Sequence, residues 1–90
     1  MKINKFHRKI CNKALSVARK KRSDYATKKD PFRNFRAFGK LGVVIRMHDK
    51  LVRLENFCKK GKLENESVED AVIDIINYSV IYLAMAGEEM

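Results

Sequence analysis

The chain has 90 residues, with 20 Lys and Arg against 11 Asp and Glu, a formal net charge of +9 and a hydrophobic fraction of 46%. This apolar fraction excludes a disordered basic tail, and four glycines and one proline argue against a loop-rich scaffold. The length allows a single domain over residues 1–90. Because so short a chain buries only about 60–65% of its unfolded surface, we expect copies to associate.

The first predicted helix covers residues 4–22. Its apolar side chains recur at spacings of three and four and share one face: Ile3, Phe6, Ile10, Ala14 and Val17. A basic run at residues 19–22 ends this helix, where positive charge suits the helix dipole. The run is either a solvated helix end or a patch that binds phosphate or nucleic acid.

A connection over residues 23–40 follows, with a turn or helix-start signal at Asp30-Pro31. Aromatic and basic side chains alternate after it: Phe32, Arg33, Phe35, Arg36 and Phe38. One interpretation is a hydrophobic plug that closes the core. The other is a base-stacking and phosphate-binding loop, because aromatic rings and Arg together capture nucleotides. Tyr25 would add a further stacking surface.

The second predicted helix covers residues 41–60 and ends at Gly61, a typical C-terminal stop. Its apolar positions follow the 3-4 spacing of a helix-packing seam: Val44, Met47, Leu51, Leu54 and Cys58. A separate stripe carries charge: Arg46, Asp49, Lys50 and Arg53.

The third predicted helix opens within residues 65–70, capped by Asn65 or Ser67, and runs to about residue 86. It is apolar on most sides over residues 72–85, which predicts a central helix or one covered by a partner chain. One stripe is polar: Glu66, Asp70, Asp74 and Asn77. Asp74 and Asn77 lie deep in the apolar run, where a polar group costs free energy unless it is paired.

Charge is divided unevenly along the chain. All Lys and Arg lie in residues 1–62, whereas residues 63–90 contain seven acids and no base. The bases of the second helix are therefore the expected partners of the polar stripe. Two interpretations stay open: an interhelical network of ion pairs and hydrogen bonds, or a pocket where carboxylates hold Mg²⁺ and the bases hold phosphates.

The two cysteines, Cys11 and Cys58, have no second ligand at metal-binding spacing. We expect reduced thiols in a core or an interface, and a cytoplasmic protein. Charges interrupt the N-terminal apolar runs, so no secretory signal is expected. Asp74 and Asn77 interrupt the longest apolar block, so no membrane span is expected.

Four strings in this order carry a family resemblance: KKRSDYA, DPFRNFR, RMHDKLVRLENF and ESVEDAVIDIINYSVIYLA. Together they resemble the nucleotide-modification-associated domain family, found largely in bacteriophages, over roughly residues 19–85. The most specific pieces run from Arg46 to Leu54 and from Glu66 to Tyr78. The resemblance implies a small all-α domain linked to modified nucleotides in phage.

The chain is also distantly similar to the all-α nucleoside triphosphate pyrophosphatases. Those enzymes bring several acids from two neighbouring helices onto Mg²⁺ and work as dimers or tetramers. The chain departs from them in the second helix, where Arg46, Lys50 and Arg53 surround Asp49 and no Glu-Glu-x-x-Glu cluster is present. Since basic residues are not Mg²⁺ ligands, this departure favours binding over hydrolysis.

The sequence thus predicts an all-α fold of three main helices with a short helical or loop connection, completing a helical bundle by oligomerisation. The expected function is to bind or sequester a modified or signalling nucleotide, as an anti-defence protein would. The expected setting is that of a small phage-type protein in the host cytoplasm. The candidate nucleotide-binding residues are Tyr25, Arg33, Phe35, Arg36, Arg46, Lys50, Arg53 and Asn77. The candidate Mg²⁺ ligands are Asp49, Glu66, Asp70 and Asp74. The alternatives are a Mg²⁺-dependent nucleotide pyrophosphohydrolase and a nucleic-acid-binding protein.

Overall fold

The computed structural model describes residues 1–25 (side chains as far as residue 23), 35–62 and 66–88. This part of the chain contains three helices and no strand: α1 (Ile3–Tyr25), α2 (Gly39–Lys60) and α3 (Val68–Glu88). The all-α prediction is confirmed. The helices extend one to three residues beyond most of their predicted ends, so the connection between α1 and α2 is shorter than residues 23–40.

Local sequence sets the ends of α2 and α3. Gly61 takes a left-handed conformation (φ 77°) after α2, and its N–H donates to the carbonyl of Phe57 at 2.7 Å, as predicted for a glycine stop. Ser67 caps α3, because its Oγ accepts a hydrogen bond from the Asp70 N–H at 3.0 Å. Asn65, the other predicted cap, lies outside the described residues.

The central helix is α3, which packs on both α1 and α2 and more extensively on α2. Lys50 of α2 meets Asp74 of α3, and the later Arg53 approaches the earlier Glu66, so α2 and α3 run antiparallel. The buried apolar residues are few and mostly small: Ala14, Ala18, Val43, Ala71, Ile73 and Met85. Val43 and Ile73 are the largest side chains that are fully buried, so the core within one chain is small.

The predicted packing seam of α2 is wrong in part. Val43 is buried, with Met47, Lys50 and Leu54 partly buried on the same face, whereas Val44, Leu51 and Cys58 are exposed. The packed face is thus turned by about 50° from the predicted one, on the ideal 100° per residue. This rotation of the packed face places Lys50 beside the carboxylates of Glu66 and Asp74. The resulting ion pairs give the physical reason for the rotation.

The apolar stripe of α1 is only partly used. Ala14 is buried and Ile10 and Val17 are half-buried, but Ile3 and Phe6 are exposed. Both cysteines are free and exposed, so they do not lie in the core of one chain. Of the two expected settings, a core or an interface, the second stays a prediction.

Within the described part of the chain, α3 is the one helix whose length and composition would let it cross a membrane. This is weak evidence, because the core helix of a soluble protein meets the same criteria. Asp74 and Asn77 of α3 both bond to α1, as polar groups of a packed helix do.

Candidate functional site

Asp74, which is 9% exposed, joins all three helices. Its Oδ1 accepts a hydrogen bond from Lys21 Nζ of α1 at 2.8 Å, and its Oδ2 lies 3.0 Å from Lys50 Nζ of α2. The aspartate needs such partners, because a buried carboxylate without a counter-charge is costly. The acid that interrupts the apolar run of α3 therefore holds the bundle together.

Lys50 bridges two carboxylates. Its Nζ lies 2.8 Å from Glu66 Oε2 and 3.0 Å from Asp74 Oδ2, and its side chain is 16% exposed. Arg53 completes the group from the solvent side, with Nε 3.7 Å from Glu66 Oε1. That oxygen is buried and accepts no hydrogen bond from the described residues. We call this group the ion-pair cluster: Lys21, Lys50, Arg53, Glu66 and Asp74.

The ion pairs shift two pKa values in opposite directions. Burial would raise the pKa of Asp74, but hydrogen bonds from Lys21 and Lys50 outweigh it and hold that pKa below its ordinary value. Burial would likewise lower the pKa of Lys50, but hydrogen bonds to Glu66 and Asp74 raise it above its ordinary value. Both groups are therefore charged at neutral pH.

These shifts predict how stability depends on pH. Asp74 contributes fully above its unfolded pKa of about 3.9, and the contribution is lost as pH falls through its lower folded pKa. Lys50 contributes fully below its unfolded pKa of about 10.4, and the contribution is lost as pH rises through its higher folded pKa. We expect thermal melts at a series of pH values to show that stability falls less steeply with acidification in Asp74→Asn than in the wild type. An equally steep fall in both would contradict this.

A second group of side chains lies one helical turn from the ion-pair cluster, also where α2 packs on α3. The rings of Phe35 and Tyr78 meet edge to face, with centroids 6.1 Å apart and planes at 78°. Arg46 places its guanidinium carbon 5.3 Å from the centre of the Phe35 ring. Both contacts are favourable electrostatically, since a ring has a negative face and a positive edge. We call Phe35, Arg46 and Tyr78 the aromatic group.

The structure brings together six of the predicted site residues near this contact. Four are predicted nucleotide-binding residues, Phe35, Arg46, Lys50 and Arg53, and two are predicted metal ligands, Glu66 and Asp74. Asn77 is not with them, because its Nδ2 donates to the carbonyl of Ala14 in α1 at 3.0 Å. The expectation that bases of the second helix satisfy Asn77 was therefore wrong. Arg36 pairs with Glu88 at 3.0 Å on the surface.

Other predicted residues lie apart from the cluster or outside the described residues. Asp49 and Asp70 are exposed. Arg33 and the side chain of Tyr25 belong to the part of the chain that the structure does not describe.

Lys21 and Tyr78 were not among the predicted site residues. Lys21 was interpreted only as part of a basic helix end, yet it lies four residues after Val17 and continues the inward stripe of α1. That spacing was the available signal. Tyr78 lies four residues after Asp74 and so shares its face of α3, which was the corresponding signal there.

The four predicted Mg²⁺ ligands are not gathered into one group in the described part of the chain. Across residues 1–23, 35–62 and 66–88, no group of three His, Cys, Asp or Glu side chains could hold a metal ion. The Lys50 ammonium lies between Glu66 and Asp74, where a cation shared by the two carboxylates would have to sit. Because both carboxylates are already neutralised by bases, their affinity for a divalent cation is reduced.

The chain matches no protein-family model, no curated protein and no solved structure. The resemblance to the nucleotide-modification-associated domain family therefore stays a prediction from the sequence.

Proposed function

We propose that the chain binds a phosphate-bearing nucleotide on the α2–α3 contact, with Arg46 and Arg53 as its anion-binding residues. The observation that carries the proposal is the juxtaposition of the aromatic group with a cation-rich ion-pair cluster one helical turn away. A nucleotide has a flat base and an anionic phosphate chain. The aromatic group supplies a partner for the base, and the bases of the two groups supply partners for the phosphates.

The balance of charge supports anion binding. Four bases in the two groups (Lys21, Arg46, Lys50 and Arg53) face two acids, Glu66 and Asp74. Lys50 is committed to those acids, whereas Arg46 and Arg53 are exposed on either side of it. They lie about 10 Å apart along the helix axis at 1.5 Å per residue, a span that a nucleoside di- or triphosphate can bridge. Arg suits this role because its planar fork matches phosphate oxygens.

The alternative, Mg²⁺-dependent hydrolysis of a nucleotide, is less well supported. It requires Lys50 to leave the space between Glu66 and Asp74, because an ammonium and a divalent cation cannot share it. Binding without turnover needs no such rearrangement.

We expect Arg46→Ala to reduce nucleotide affinity at least tenfold, equivalent to about 1.4 kcal/mol, with the fold retained. Isothermal titration against a panel of linear, cyclic and modified nucleotides measures this, and Arg53→Ala should behave in the same way. Lys59→Ala is the matched control, since it removes an exposed positive charge from α2 far from the aromatic group. Arg46→Ala that binds as tightly as wild type would contradict the proposed site, and a wild-type chain that binds no member of the panel would contradict the function.

A nucleic-acid-binding function is the second candidate, favoured by the surface of α1. Residues 1–23 contain nine Lys and Arg, all exposed, and no Asp or Glu. Within the described part of the chain only Lys13 and Lys21 of these pair with carboxylates, those of Glu69 and Asp74. In the same titrations, binding to a short DNA duplex that falls steeply with salt and survives Arg46→Ala would favour this candidate.

We also propose that copies of the chain associate and so complete the bundle. The support is the small core together with many exposed large apolar side chains on all three helices. The sequence predicts that residues 72–85 are central or covered by a partner chain. Within this range Ile73, Asp74 and Met85 are buried within their own chain. Of the large apolar side chains in that range, Val80 and Leu83 are the ones exposed.

A further inference from the structure

A second apolar face runs along α2, turned away from α3. Its members are 37–69% exposed: Leu41, Val44, Ile45, Leu51 and Val52. On an ideal helix they fall within a strip about 120° wide, as broad as the face that a packed helix buries. We call this strip the open face of α2. The described residues leave all five of these side chains exposed, whereas Val43 on the opposite side of α2 is fully buried.

The accessible surface of the chain is larger than a compact monomer needs. It is 7144 Å², whereas a folded monomer of 10.5 kDa is expected to expose about 5,400 Å². The excess, about 1,700 Å², exceeds the roughly 800 Å² that each partner buries in a standard interface. The total covers all 90 residues, including those outside the described ranges, and one interface of standard size would cover about half of the excess.

The spacing within the open face fits a second copy of the same helix. Its positions repeat as Leu41, then Val44 and Ile45, then Leu51 and Val52, so apolar pairs recur every seven residues. His48 lies between the two pairs, at equal distance from each. Two identical strips of this kind are self-complementary about a two-fold axis, the commonest symmetry of homodimers.

We propose that α2 pairs antiparallel with α2 of a second copy, open face against open face, with the two-fold axis passing beside His48. The inference rests on the proposed association of copies and names its surface. An antiparallel pair places Val44 and Ile45 of each copy against Leu51 and Val52 of the other. It also keeps apart the basic helix ends, with Lys59 and Lys60, which a parallel pair would bring together.

Sedimentation or light scattering tests the contact through Ile45→Glu. Both copies of Ile45 lie in a two-fold contact, so the charge should halve the mass of the assembly, to 10.5 kDa if the wild type is a dimer. Leu15→Glu is the matched control, since Leu15 is an exposed aliphatic residue of α1 outside the open face and should leave the mass unchanged. Circular dichroism checks that both variants fold.

Cross-linking supplies a second measurement that does not depend on disrupting the contact. In a Cys11→Ser, Cys58→Ser background, oxidation should link copies through His48→Cys and not through Leu41→Cys, because only position 48 meets its own copy in an antiparallel pair. A wild-type chain of monomeric mass would overturn both the association and this contact. An assembly that keeps its mass in Ile45→Glu, and fails to cross-link at position 48, would overturn the contact and leave the association standing.

Discussion

Replacing Asp74 with alanine is expected to lower the free energy of unfolding by about 3 kcal/mol, because breaking a buried pair strands its partner charges. The variant loses two ion pairs at once, to Lys21 and to Lys50. The loss should lie at the lower end of the usual 3–5 kcal/mol range. Lys50 keeps Glu66, and the Lys21 side chain is already 51% exposed and can be solvated.

For a domain of this size, 3 kcal/mol corresponds to a decrease in Tm of about 12–24 °C. Thermal and urea melts at pH 7 measure it, and Asp70→Ala serves as control, since Asp70 is an exposed acid one turn earlier in α3. A variant that melts like wild type but no longer binds nucleotide would show that Asp74 serves a hydrated ligand site. A variant unchanged in both would contradict the bridging role of Asp74.

Replacing Ile73 with alanine is expected to cost about 2–5 kcal/mol, the range for truncating a buried aliphatic side chain. Ile73 and Val43 are the two largest side chains that are fully buried. Because the rest of the core is mostly alanine, few neighbouring side chains can move in to fill the cavity. We therefore expect a value in the upper part of the range, enough to leave a large share of the variant unfolded at 37 °C.

Leu83→Ala is the matched control for Ile73→Ala. Leu83 lies in the same helix and also loses three side-chain carbon atoms, but it is 71% exposed. Its replacement should shift the urea midpoint little at low protein concentration. If Leu83→Ala destabilised the protein as much as Ile73→Ala, Leu83 would have to be covered by a partner, and the effect would then grow with protein concentration.

Local sequence predicted the elements of the fold and their ends. The apolar spacing of three and four indicated three helices, Gly61 was the predicted stop of α2, and Ser67 was one of two predicted caps of α3. These features depend on contacts within a few residues of chain, so they can be inferred from spacing and residue type alone. The resemblance drawn from longer strings reaches further, to a function, and stays a prediction.

The candidate site was predicted in part. Lys50, Arg53, Glu66 and Asp74 were expected to meet because opposite charges line facing stripes, and they do. Lys21 was missed because its position within a run of four bases obscured the inward stripe that it continues. Asn77 was assigned to the wrong helix, because spacing shows that a residue needs a partner but not which neighbour supplies it.

The sequence by itself determined which residues share a face of each helix, and the tertiary structure decided which face is packed. In α2 both Val43 and Val44 lie on apolar strips, and either strip could have met α3. Hydrophobic burial, being non-directional, discriminates little between them. The choice depends on Lys50, whose ion pairs with Glu66 and Asp74 form only when the Val43 side faces α3. The sequence predicted that these charges meet, but the spacing of α2 does not show that their pairing turns Val43 rather than Val44 towards α3. The opposite strip is left open as a result.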